Sequence, residues 1–340
     1  MNNGFENSPV PPVYAGTPMP RTPKKSKAGV VIAIVAAALA VIILFMVAVA
    51  SFFSRYDGGI GERLDIVRIE GVISAQSSSS IFSAEQGYNQ SFILNTIDTL
   101  IDSPDSKGIL LYLNTPGGAV YQTDEVYLKL LEYKQTGRPV YAYMAETAAS
   151  GGYYIACAAD RIYSNRNTFT GSIGVIMGTY MDLSGLLEEF GITTHTFTSG
   201  DNKSMGSSYE PMTQEQERIF QSLVDECYEQ FVDIVSKGRG KDIAEVKRLA
   251  DGRVYTAKQA LANGLIDEIS SYEQALSAVR TQLGDENMRI VDHIQPQVTG
   301  FSALLGKLAQ LRSRSDTEVI LDSMSAYTIW GYYCPQLGSR

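Results

Sequence analysis

Val140-Tyr141-Ala142-Tyr143-Met144, then Glu146-Thr147-Ala148-Ala149-Ser150-Gly151-Gly152-Tyr153-Tyr154, is the stretch from which the rest of the chain can be read. The apolar run after the Gly137-Arg138-Pro139 turn predicts a short buried strand. Tyr154-Ile155-Ala156-Cys157-Ala158-Ala159 predicts a tightly packed helix ending at Asp160-Arg161. A polar loop through one serine joins them. Serine is a favoured helix cap, and Gly151-Gly152 with the alanines could serve only close packing. The same junction would suit a nucleophile, because unpaired backbone N–H groups at a helix start can bind a developing oxyanion. Ala148 occupies the place of the first glycine of Gly-x-Ser-x-Gly, which argues against an α/β-hydrolase elbow.

The chain on either side repeats the strand-then-helix theme. Leu64 to Ile73 predicts the opening strand. Ser74 to Ser91, with four serines in a row, predicts a surface loop or lid. Ile93, Ile97, Leu100 and Ile101 recur at helical spacing before Pro104, and Gly108 to Leu113 is a continuous apolar strand of the kind buried in parallel sheets. Asn114-Thr115-Pro116-Gly117-Gly118-Ala119-Val120 follows, then an amphipathic helix through Glu132. That loop reads as a proline-glycine turn or as a place where backbone N–H groups approach a substrate carbonyl. Because it and the Ser150 loop follow successive strands, both should open on one carboxyl edge of the sheet. Further strands are expected near Ile162, at Thr170 to Ile176 and at Thr193 to Thr198, and a helix at Leu183 to Phe190. Thr213, with Gln216 as its capping-box partner, should start a long helix to about Lys237. The expected class is α/β, with repeated βα units and a mainly parallel sheet.

A nucleophilic serine needs a base. The chain has two histidines. His293 lies in a polar segment, and His195 sits among threonines on a predicted strand, a setting commoner for a sheet or surface residue. A lysine can replace histidine where desolvation or nearby positive charge favours the neutral amine. Lys203, in the loop Ser199 to Ser208, is the candidate, although such a lysine is usually a solvated charge.

Apolar residues are unevenly distributed in these 340 residues of net charge −9. Ala28 to Phe53 is an uncharged run of about 26 residues, roughly 39 Å as a helix, against a hydrocarbon core of about 30 Å. Arg21, Lys24, Lys25 and Lys27 crowd its amino side. The positive-inside rule then predicts a single-pass, uncleaved anchor at 28–53, a cytoplasmic N-terminus and an extracytoplasmic remainder. Proline-rich residues 1–27 are expected to be a disordered tail, and 54–63 a linker. A folded domain over 64–287 and an extension over 288–340 complete the expected order. The charge balance and the Cys/His spacing favour neither nucleic-acid binding nor a metal site.

Five motifs in order resemble the signal peptide peptidase A family, in its short, membrane-anchored, Gram-positive-type form. They are Thr115-Pro116-Gly117-Gly118, Ala148 to Tyr154, Thr170-Gly171-Ser172-Ile173-Gly174-Val175, the Lys203 loop, and Gly252 to Thr256 with Ala260 and Gly264-Leu265-Ile266-Asp267. The resemblance covers roughly Leu64 to Ala278. It implies a Clp/crotonase-like fold in which Ser150 is the nucleophile and Lys203 the general base of a Ser-Lys dyad. It further implies an oxyanion hole at Gly118 and Gly151, with Ser172 hydrogen-bonded to the lysine. It implies no cofactor, hydrophobic remnant signal peptides as substrates at the membrane, and a homo-oligomeric ring, leaving open whether serine and lysine come from one subunit or from neighbouring ones. The competing readings are an acyl-CoA enzyme on the same fold and a non-catalytic membrane scaffold. The aromatic end of the chain, Ala326 to Tyr333, is expected to pack on the domain or on another subunit, or to lie in the domain's own groove as an inhibitor.

Overall fold

The computed structural model describes residues 32, 35–47, 61–75, 87–295 and 331–333. The expected tail (1–27), much of the anchor and linker, the middle of the 74–91 loop, and residues 296–330 lie outside them. The chain divides into two units, Met1–Gly59 and Ile60–Arg340. In the first, residues 35–47 form a helix, α1, with exposed side chains. No helix among the described residues is long and apolar enough to cross a membrane.

The second unit is a mixed α/β fold around a mainly parallel sheet. Strands β9 (Arg289–His293), β1 (Arg63–Glu70), β2 (Ser106–Thr115) and β4 (Val140–Ala149) run side by side and parallel. Alternate residues of these apolar strands supply two different cores. Val67, Ile69, Ile109, Leu111, Val140 and Met144 face helices α2 (Gln90–Ile101), α3 (Val120–Gln135), α4 (Gly151–Ala156) and α6 (Gln214–Arg239). Leu64, Ile66, Leu110, Tyr141 and Tyr143 face α9 (Tyr272–Gln282). A strand covered on both sides has no polar face, which is why these segments read as continuous apolar runs.

β4 is longer than the predicted 140–144 and it forks. Tyr141–Met144 pairs with β5 (Arg161–Ser164), whereas Thr147–Ala149 pairs with β6 (Phe169–Gly171). β6 pairs antiparallel with β7 (Val254–Thr256), and β5 parallel with the two-residue β8 (Glu268–Ile269). A register shift against β2 between Leu113 and Thr115 accompanies the fork. The segment that sequence presents as a polar loop is thus a strand whose backbone groups are taken up by a second neighbour.

Two expected strands are corrected. β6 stops at Gly171, where Gly171 (φ 80°) and Ser172 (φ 49°) turn the backbone out of the ladder. Thr193–Thr198 forms no strand: its threonines and histidine offer no apolar side to bury, and the segment runs exposed. Among the described residues three capping boxes are present, at Thr213/Gln216 as expected and also at Thr256/Gln259 before α8 (Ala257–Ala262) and Ser271/Gln274 before α9. The remaining helices among the described residues are α5 (Ser184–Glu189) and α7 (Ile243–Leu249). A separate two-stranded sheet joins β3 (Gly117–Ala119) to β10 (Gly331–Tyr333).

Candidate active site

β4 delivers the chain to Ser150, which stands in the capping position of α4 but does not cap it. Its side chain makes no capping hydrogen bond, and its backbone sits at φ 53°, ψ −118°. L-residues avoid that conformation, which costs on the order of 1–3 kcal/mol and persists only where surroundings enforce it. Here the Ser150 amide donates to Gly171 O (2.7 Å) and its carbonyl accepts from the Tyr154 amide (2.9 Å). Ser150 is 1% exposed, and among the described residues its Oγ has no hydrogen-bond partner. A serine kept for capping would make the bond that is missing. Pinned at both backbone ends, this one holds its hydroxyl ready for something else.

The two glycine loops converge on it. A Cβ on Gly118 would lie 1.9 Å from Ile73 O, so no other residue fits. Ile73 takes a bond from neither Gly118 group: its amide donates to Gly117 O (2.9 Å) and its carbonyl accepts from the Ala119 amide (2.8 Å). By strand alternation the Gly118 amide therefore faces the opposite edge, where Tyr332 of β10 is its register partner. A Cβ on Gly151 would stand 2.7 Å from Thr123 Oγ1 and 3.3 Å from the Gly118 amide nitrogen, so the two glycines meet. α4 itself is fixed from behind. Tyr153 donates to Leu265 O (2.9 Å), and Tyr154 donates to Asp124 Oδ1 (2.6 Å) while accepting from Gln230 (2.7 Å).

Ser172 is brought to the same place. The Ala149↔Gly171 register puts it beside Ser150, also at positive φ, 7% exposed, with its amide on Arg253 O (2.8 Å). Next to it opens a recess of about 450 Å³ lined by Val175, Ile176, Val224 and Tyr228 among others. Lys203 is not brought there within one chain. It lies exposed in a turn, its amide on Gly200 O (3.0 Å), and its amine does not reach Ser150 Oγ. His195 is exposed in the extended 193–198 segment. His293 is far from this loop cluster in the sheet, on β9, bound to Asp65 Oδ1 (2.8 Å).

The buried thiol of Cys157, just behind α4, is pushed up to about 12 by desolvation despite the opposing charge of Arg239, so it is no nucleophile. Among the described residues no group of three or more His, Cys, Asp or Glu is placed to hold a metal ion.

Residues 132–285 match the model of peptidase family S49. A protein of Enterococcus faecium assigned as signal peptide peptidase SppA is 36% identical over 247 residues, 73% of this chain and 71% of that one. The chain belongs to peptidase family S49. A Synechocystis protein assigned as a protease is 33% identical across 83% of its length. The chloroplastic serine protease SPPA of Arabidopsis thaliana is 30% identical, with 30% of its length covered. As a family S49 member the chain is a serine-type peptidase of the signal peptide peptidase kind, which sets aside the acyl-CoA and scaffold readings.

Sequence reasoning missed Thr123 and Ile73 as walls of the site. Thr123 reads as one polar residue of an amphipathic helix, and Ile73 as the end of a strand. Only the close approaches of Thr123 to Gly151 and of Ile73 to Gly118 reveal them.

Proposed function

We propose that the chain is a membrane-anchored endopeptidase that cuts remnant signal peptides and other hydrophobic peptides with Ser150 as nucleophile and Lys203 as base. The observation that carries this reading is Ser150, strained in its backbone and with a buried, unpartnered hydroxyl, followed directly by Gly151, whose Cβ position lies 3.3 Å from the Gly118 amide nitrogen. An extended peptide would pair along β3 where β10 pairs, a strand-addition mode in which backbone bonds bind and alternate side chains enter pockets. The recess beside Ser172, where Val175, Ile176, Val224 and Tyr228 stand with Gln221, Asp225 and Asp251, has room for a substrate side chain. Ser150 Oγ attacks the carbonyl carbon, Lys203 takes the hydroxyl proton, and the Gly118 and Gly151 amides hold the oxyanion. The amide bond then breaks as the leaving nitrogen collects that proton. Water, deprotonated by the same lysine, hydrolyses the acyl-enzyme and restores the serine.

The lysine is supplied by a neighbouring subunit. Support comes from the arm that carries it, residues 174–212, which leaves Met181, Leu186, Phe190, Ile192 and Phe197 exposed. Phe197 is 95% exposed, a state a monomer gains nothing from. A homo-oligomeric ring of the Clp/crotonase-like fold, tethered through the apolar 28–53 segment with the peptidase unit outside the cell, fits the family and the charge asymmetry around that segment.

The test follows hydrolysis of a synthetic signal peptide by the full chain in detergent, beside Ser150→Ala, Lys203→Ala and the two variants refolded together. Both single variants should be inactive and the mixture should regain activity. Full activity of Lys203→Ala would remove the dyad; two inactive variants that fail to complement would place it within one subunit.

A further inference from the structure

Thr123 is the fourth residue of α3 and is wholly buried, yet its Oγ1 has no hydrogen-bond partner among the described residues. A helical threonine ordinarily bonds the carbonyl four residues back. Thr96, Thr99 and Thr281 do so, at 2.7, 2.8 and 3.0 Å. Thr123 declines the equivalent carbonyl, that of Ala119, and leaves its hydroxyl unpaired. Leaving a buried hydroxyl unpaired costs about 1–3 kcal/mol, so the position demands a reason.

Its surroundings supply one. Thr123 Oγ1 lies 2.7 Å from the point where a Cβ on Gly151 would be, and the Gly118 amide nitrogen lies 3.3 Å from that same point. The hydroxyl therefore stands at the meeting of the two glycine loops. The other unpartnered hydroxyl here, Ser150 Oγ, belongs to the residue bonded to Gly151. Both unpartnered hydroxyls thus belong to residues that border Gly151, where the proposed mechanism seats the substrate carbonyl. A hydroxyl can rotate its hydrogen toward an acceptor that arrives later, whereas a backbone amide cannot.

We propose that Thr123 is a third donor of the oxyanion site, its O–H turning onto the substrate carbonyl oxygen as that oxygen gains charge. This rests on Ser150 being the nucleophile. The hydroxyl gives up no proton: it donates a hydrogen bond that strengthens as the tetrahedral intermediate forms and weakens as the amine leaves. A bond of that kind acts on kcat more than on KM.

Thr123→Val keeps the shape and removes the donor, and Thr123→Ser keeps the donor. With the full chain and one signal peptide, Thr123→Val should lower kcat by about 10- to 100-fold. Its KM should stay within about twofold, and its thermal midpoint should be equal to or above that of the parent, because an unpaired buried hydroxyl is gone. Thr123→Ser should keep kcat within about threefold. Unchanged kcat in Thr123→Val, with Ser150→Ala inactive, overturns the proposal alone. A fall in thermal midpoint matching the fall in rate, with Thr123→Ser equally damaged, overturns it in favour of packing. If Ser150→Ala works as well as the parent chain, the nucleophile is wrong and both readings fall together.

Discussion

Ser150 shows how much a single backbone conformation can say. Its φ of 53° is one any L-residue resists and glycine does not, so the strain comes with keeping a side chain, the proposed nucleophile, at this position. Ser150→Gly should abolish hydrolysis and at the same time stabilise the fold by about 1 kcal/mol, seen as a higher thermal midpoint. A lower midpoint would mean that the surroundings do not hold the residue against its preference. Its alanine counterpart should be inactive without that gain, since Cβ remains.

The edge of the sheet next to the extension is held by charge among its strands. Asp65 of β1 is fully buried, and its Oδ1 accepts from Arg63 Nε (2.9 Å) and pairs with His293 Nε2 of β9 (2.8 Å). Arg68 clasps Asp292 with bonds of 2.7 to 3.1 Å. Burial alone would raise the Asp65 carboxyl, but the hydrogen bonds from His293, Arg63 and Ser106 outweigh it and hold the group below its ordinary value. A lowered folded value means stabilisation that is present above about pH 4 and is lost as pH falls through the folded value. Asp65→Asn should cost roughly 1.5–3 kcal/mol at pH 7, and its gap from the parent chain in denaturant titrations should narrow below about pH 4. A constant gap would show that shape, not charge, matters there. At the other end of the extension, β10 occupies the edge of β3 opposite Gly118. If that strand competes with peptide, deleting Ser325 to Arg340 should lower KM several-fold, and an unchanged KM would deny it an inhibitory role.

At the scale of the whole molecule, the described residues of one chain assemble every expected part of the site except the base. Ser150, both glycine loops and Ser172 converge on the carboxyl edge of the sheet, while Lys203 rides on an arm whose apolar side chains lie bare. Exposed Phe190 and Phe197 are the side chains whose burial a neighbouring subunit would reward, by about 1.5–3 kcal/mol each. Replacing both with serine should shift the protein to smaller species in sedimentation velocity and lower its activity in parallel. Monomers that keep full activity would separate assembly from catalysis.

What the sequence determined by itself is what local chemistry encodes. Continuous apolar runs specify strands buried on both faces, the Thr213 capping box starts α6, and paired glycines announce a close approach at Gly118 and at Gly151. Glu146 to Ala149 was opaque, because a strand that changes neighbours at a fork looks polar wherever its partners lie far away in the chain. Thr193 to Thr198 misled for the opposite reason, since β-branched residues favour a strand only when another strand is there to pair with. Ser150's strain, the meeting of Thr123 with Gly151, and β10 lying against β3 were decided by tertiary structure alone. Each depends on a distance between segments remote in the chain, and no local propensity specifies such a distance.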